Sequence, residues 1–247
     1  MKTSSLSRHI RPLAFLLSLL ILASVFTAPA FAASEFRYSS PEEAKYLALD
    51  CLMRCGFSSE YNPDGSLDSS RDLVRWTNTI KLYVGGQPTT EDMKQLDDFI
   101  MEIATHCPNV PNIRRVSDPG SANITLYYCP LDEMGNYVSN YVENNWGFFY
   151  FWYNGSGSIY KAELAIASDV NSPESKVHVM TEVLVGALGL SNDHYQYSDS
   201  ILYGEWTTTQ ELSDLDWLML NMYYDPELPL FAGASHAYNL LEAKIRQ

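Results

Sequence analysis

The chain has 247 residues, 16 Lys and Arg against 30 Asp and Glu, and is 46% hydrophobic and 13% aromatic. That much apolar material fills the core of one good-sized domain, and it excludes a disordered chain, whose balance of charge and hydrophobicity is the reverse. The formal charge of −14 comes without any basic stripe, which excludes a surface built to track phosphates, so no nucleic-acid partner is expected.

Residues 1–32 read as a secretory signal peptide. Lys2, Arg8 and Arg11 precede a fourteen-residue apolar run, Leu13 to Phe26, and Ala30-Phe31-Ala32 presents small residues where a signal peptidase cuts. The run is shorter than the roughly twenty residues a spanning helix needs, so no transmembrane anchor is expected after cleavage. Losing those three cations takes the formal charge from −14 to −17. The expected location is therefore secreted or periplasmic. In such a compartment Cys51, Cys55, Cys107 and Cys129 are candidates for one or two disulfides, with all three pairings open.

Residues 33–70 read as an N-terminal helix and linker. Ser39 or Ser40 caps it, Pro41 opens it, Ala44, Leu47, Ala48, Cys51 and Leu52 share a face, and Gly56 ends it. Asn62-Pro63-Asp64-Gly65 reads as a loop. A strand is predicted at Ile80 to Val84, then a helix capped by Thr89 or Thr90 with Met93, Leu96, Phe99, Ile100 and Ile103 at helical spacing. Its acids Glu91, Asp92, Asp97 and Asp98 read as a solvated face. Short strands follow at Ile113 to Val116 and Asn123 to Tyr128. The aromatic stretch Tyr137 to Tyr153 ends at the turn Asn154-Gly-Ser-Gly157, and Ile159 to Ala167 is a further strand. Val177 to Leu190, apolar all round, reads as a buried helix stopped at Gly189. Leu212 to Tyr224 reads as a last amphipathic helix, halted by Asp225-Pro226. Residues 234–247 read as a tail. The fold class is α/β or α+β, with the main domain over 71–233.

Ala187-Leu188-Gly189-Leu190 resembles the piece that follows the second His in the metzincin helix His-Glu-x-x-His-x-x-Gly-x-x-His. Ser200-Ile201-Leu202 is similar to that family's Ser-Ile-Met turn. The sequence resembles more closely a bacterial family of exported proteins, domain of unknown function 2927, through Arg75-Trp76, Ala122-Asn123-Ile124, the acidic residue before Ala-Leu-Gly, and Tyr224-Asp-Pro-Glu-Leu228. The resemblance implies a zincin-like mixed sheet with an active-site helix, an irregular turn and a closing helix. Carried across, the first zinc His falls on Glu182, the catalytic Glu on Val183, the second His on Gly186 and the third on Asn192. A zincin site needs imidazoles one helical turn apart, and its bound water needs a base; Gly186 and Val183 supply neither. No cofactor is expected at that site.

An alternative metal set is His178, Glu182 and His194, since 178 and 182 share a helix face and 194 follows the Gly189 bend. It would hold zinc and make the protein a metal-dependent hydrolase, with Glu182 the one catalytic candidate. The other reading is a non-catalytic module that binds a protein, peptide or glycan of the cell envelope. Trp146, Phe149 and Trp152 are its candidate binding residues, because an aromatic edge strand can stack on sugars or clamp an extended peptide.

Overall fold

The computed structural model describes residues 34–61 and 67–247. The expected signal peptide and the Asn62–Gly65 loop lie outside the described residues. Helix α1 (Pro41–Cys55) starts where Ser40 accepts a hydrogen bond from Glu43 N and Pro41 takes the first turn, where a missing N–H costs nothing. Its buried face carries Ala44, Ala48, Leu49, Cys51, Leu52 and Cys55. Strands β1 (Ser58–Tyr61) and β2 (Leu67–Ser70) form a separate antiparallel ribbon.

Among the described residues the main sheet has six strands: β3 (Arg75–Trp76), β4 (Ile80–Gly86), β5 (Ile113–Val116), β6 (Ile124–Cys129), β7 (Gly147–Tyr153) and β8 (Ser158–Ala167). Parallel pairing runs β5 to β4 to β6 to β8, with β3 joining the start of β8. β7 alone is antiparallel. It pairs β8 across Ile159 to Ile166, and β6 already holds the other side of that stretch, so β7 is an edge strand. The parallel neighbours β4 and β5 are joined by α2 (Thr90–His106), which opens with a capping box between Thr89 and Asp92.

After β8 come α3 (Pro173–Leu188), α4 (Asp214–Tyr223) and α5 (Ala234–Ile245). Alternation along the strands sorts the sheet into two faces. Ile80, Leu82, Ile124, Leu126, Tyr128, Ala162, Leu164 and Ile166 enter the main core with the helices. Cys129, Ala165, Ala167 and Phe148 enter a smaller cluster under Met134 and Val138.

The N-terminal helix expected in 33–70 is integral to this core, packed on α4 and α5, and the segment expected to be a tail is α5 itself. Ala237 and Leu241 bury one side of that helix, a stripe too narrow to stand out in sequence. Asp92 also departs from its reading. It is buried, accepts from Thr89 N and Oγ1, and pairs with Lys176 of α3 at 3.0 Å, tying the two helices together. Among the described residues, no helix is long and apolar enough to cross a membrane.

Candidate functional site

Helix α3 lies under the edge strand β7, and the sequence permits this approach because two glycines meet two large neighbours. A Cβ at Gly186 would run into the ring of Phe149, and one at Gly147 into the side chain of Val179. The even residues of β7 face the smaller cluster and the odd ones face α3, so both faces are aromatic. Phe149 and Phe151 sit on the main core, while Phe148 and Tyr150 pack on the other side.

The positions that the metallopeptidase resemblance assigns are now placed. Val183 is buried, and its Cγ1 would be 3.0 Å from a Cβ at Gly147. The space a side chain at 186 would need is filled by Phe149. Asn192 is buried and donates to Ser58 Oγ at 2.5 Å. These residues do not fit zinc: one is a hydrocarbon, one has no side chain, and one is engaged by the β1 segment.

The alternative set is only partly brought together. His178 Nδ1–H donates to the carbonyl of Thr209 at 2.6 Å, since a carbonyl can only accept, and Nε2 then faces Glu182 Oε2 at 3.6 Å. Burial pushes the His178 pKa down, and the bond to Thr209 only partly opposes it. His194 sits elsewhere, against α1 and the turn. Its N–H donates to Leu202 O, its Nδ1 accepts from Gln196 N at 3.3 Å, and its buried Nε2 has no hydrogen-bond partner among the described residues. Burial holds its pKa at about 4. Among the described residues no three His, Cys, Asp or Glu side chains are grouped to hold a metal ion.

The far end of α3 explains why its Ala-Leu-Gly stretch accompanies distant motifs. A helix leaves its last carbonyls without partners. Here Trp76 Nε1 donates to Ala187 O at 2.9 Å, Tyr224 OH to Leu188 O at 2.7 Å, and an Arg71 guanidinium nitrogen to Gly189 O. Arg75 in turn donates to the carbonyls of Tyr223, Asp225 and Leu228 at 2.7 to 2.9 Å. Gly189 adopts φ +124°, the left-handed region expected of a helix-ending glycine. The turn at Ser200-Ile201-Leu202 is buried and fastened to α4. Asp216 accepts from Ser200 Oγ, Ile201 N, and Ser213 N and Oγ.

The three candidate binding aromatics do not form one patch. Phe149 is spent on Gly186. Trp152 lies on the opposite face of β7, with Lys161 Nζ 4.4 Å from its ring centroid. Trp146, just before β7, meets a residue the sequence reading missed: Trp206, whose ring centroid lies 5.1 Å from it and 5.7 Å from that of His178, edge to face in both pairs. Its only signal was an aromatic ring in a polar stretch, Glu205-Trp206-Thr207-Thr208. On the second sheet face, a cross-strand row runs Tyr83, Thr125, Glu163, Tyr150.

The disulfide expectation is corrected. All four cysteines are buried free thiols. Cys51 and Cys55 are one helical turn apart, where Cβ atoms stand about 5 to 6 Å from each other, beyond the roughly 3.5 to 4.5 Å of a disulfide. Cys107 packs in the main core and Cys129 in the smaller cluster.

No curated protein matches the chain. The family described as protein of unknown function (DUF2927) matches residues 49–236, a stretch holding Arg75-Trp76, all of α3 and the Tyr224–Leu228 segment that Arg75 binds, and the chain belongs to that family.

Proposed function

We propose that the protein is an exported, non-catalytic, zincin-like module that holds an extended peptide segment of a cell-envelope protein along β7. The observation that carries this reading is the seat of Phe149 on Gly186. It fills the room a second zinc-binding imidazole would need, while leaving β7 as an edge strand beside α3. In an edge strand every second residue turns its N–H and C=O away from the sheet, and an added strand can pair with them. The signal-like leader supports export, and the antiparallel edge strand, the Ser200 turn and the closing helix α4 support the zincin-like build.

One experiment tests both halves. Isotope-labelled mature protein is titrated with an extended, Thr- and Val-rich pentapeptide, and the peptide is then recovered for mass analysis. The expected result is backbone amide shifts concentrated on β7 with the peptide intact. Shifts elsewhere, or a cleaved peptide, would overturn the reading.

A second reading has an observation of its own. The row Tyr83, Thr125, Glu163, Tyr150, flanked by Tyr127 and Trp152, sets rings beside the ion pair of Lys161 and Glu163 at 2.7 Å. Rings with polar groups between them are the elements of a glycan surface.

A further inference from the structure

We propose that the sheet face turned away from the helices binds an acidic glycan, one whose sugar rings carry carboxylates, with Lys81 and Arg114 meeting the charge. This rests on the second reading above and adds the class of sugar; it does not depend on the peptide reading.

Strand alternation puts these groups on one surface. Ile80, Leu82, Ile113 and Ala162 turn into the main core, so Lys81, Arg114 and Lys161 turn the other way. Tyr83 and Glu163, two residues beyond Lys81 and Lys161, share that side. Lys81 stands opposite Arg114 in the pairing of β4 with β5, and Tyr83, Thr125, Glu163 and Tyr150 form the next row. Neighbouring strands are about 4.8 Å apart, and successive residues on one face roughly 6.6 Å, so the two cations adjoin Tyr83 at one end of the row.

The rings make two platforms. A Cβ at Gly85 would run into the rings of Tyr127 and Tyr83, so both lean over that glycine, and Tyr137 stacks on Tyr127 with centroids 4.2 Å apart. Beyond Thr125 and Glu163, Tyr150 and Trp152 meet at 4.8 Å. Tyr83, Tyr127, Tyr150 and Trp152 are all half-buried, held on one side and open on the other. Such rings stack on the apolar faces of sugars.

Charge decides which sugar. Glu163, the carboxylate in the row, is already engaged, accepting from Lys161 Nζ at 2.7 Å and from Ser139 N and Oγ at 3.0 and 2.8 Å. Lys81 and Arg114 have no carboxylate partner among the described residues, in a chain with 30 acids against 16 bases. Arg115 shows the contrast: it lies on the helix side and pairs with Asp97 of α2 at 2.9 Å. Like charges opposite each other in a sheet repel, and an anion between them removes that cost. A guanidinium holds a carboxylate through paired N–H donors. A hexuronic acid carries its carboxylate on the very ring that stacks, which suits a cation placed beside a tyrosine. A neutral sugar would leave both cations unmet.

The test uses the isotope-labelled mature protein with trigalacturonic acid and its methyl ester, the same chain of rings without charge. Signals of β4, β5 and β8 and the Trp152 indole are followed by NMR. The acid should shift Lys81, Arg114 and the indole, and bind roughly ten-fold more tightly than the ester, the scale of one hydrogen bond to a charged group. Arg114→Gln combined with Lys81→Gln should remove that preference, and Trp152→Leu should weaken both ligands alike. Arg115→Gln changes the charge of the chain as much as Arg114→Gln does and should leave the preference intact. Equal binding of acid and ester, an unchanged preference in the double variant, or a loss in Arg115→Gln as large as in Arg114→Gln would each overturn the inference. Equal binding would leave the glycan reading standing without its acidic specificity; if neither ligand moves this face, the glycan reading falls too. A single-stranded oligonucleotide that binds here more tightly than the acid would also overturn it, with nucleic acid as the occupant.

Discussion

The ring of Phe149 rests on the α-carbon of Gly186, so an edge strand and the helix beneath it touch where most helix pairs with strands are held apart by side chains. Gly186→Ala is therefore expected to destabilise by about 1 to 3 kcal/mol through overpacking. In a Phe149→Ala background the same change should stabilise, by up to about 1 kcal/mol, because alanine is the better helix former. Denaturant midpoints of the four proteins measure the coupling. Additive effects would show that ring and glycine do not meet.

Gly189→Ala should be worse tolerated. The residue has φ +124°, and a Cβ there would also stand 2.5 Å from Tyr223 Cε1. Strain of that kind costs on the order of 1 to 3 kcal/mol before the clash is counted. Thermal unfolding at or above the wild-type midpoint would contradict the geometry at the end of α3.

His194 gives the protein an acid sensitivity with a definite sign. Its folded pKa, about 4, lies below the ordinary value of 6.5, chiefly because the ring is buried, with Asp199 opposing and Arg54 adding to the effect. Between about 6.5 and 4 the unfolded chain takes up a proton that the folded protein refuses, so stability present above 6.5 is lost as pH falls. The loss from this group is roughly 3 kcal/mol across the window. Measured between pH 7.5 and 4.5, His194→Gln should lose correspondingly less stability than the wild type, and identical slopes would remove His194 as the cause.

The four thiols should be silent in the native protein. Burial raises Cys51 and Cys107 to about 12 and Cys129 to about 11, and it raises Cys55 as well. The thiolate is the reactive form, so a thiol reagent at pH 8 should modify none of them quickly in buffer. In denaturant without reductant it should modify all four. Fewer than four would reveal a disulfide.

Arg75 and the carbonyls it gathers make the last test. Arg75→Lys keeps the charge but cannot reach Tyr223, Asp225 and Leu228 together, since the fork of five donors is lost. A loss of about 2 kcal/mol is expected, one net charged hydrogen bond or slightly more. A neutral outcome would mean that Tyr224 and the Lys244–Asp225 ion pair hold the segment after α4 without it.

Periodic segments were the readable part of this fold. Thr89 and the spacing of Leu96, Phe99 and Ile103 mark α2, and Asp225-Pro226 marks where the last helix predicted there, α4, has ended. The all-apolar stretch around Val183 announces α3 because a helix buried on every side needs no polar face. α5 escaped notice because its burial depends on α1, nearly two hundred residues earlier. At the candidate site the pairing of His178 with Glu182 follows from helical spacing and was legible. The position of His194 was not: the chain turns back at Leu202 and Gly204 by backbone bonds that leave no mark on side-chain pattern. Trp206 escaped for the same reason, since only the return of residues 204–210 over α3 gives an isolated ring a neighbour. Buried cysteines carry no sequence sign of whether they pair.

The carbonyls at the end of α3 have a consequence for the order in which the protein assembles. Their donors come from Trp76, 111 positions before its acceptor, from Arg71, 118 positions before, and from Tyr224, 36 positions after. Closing such long loops is entropically slow, so this junction forms late, after α2 and α4 have had time to form from local contacts. A chain still emerging from synthesis cannot complete it until Tyr224 has appeared. Until then the carbonyl of Leu188 lacks its donor, and the end of α3 is left incompletely fastened.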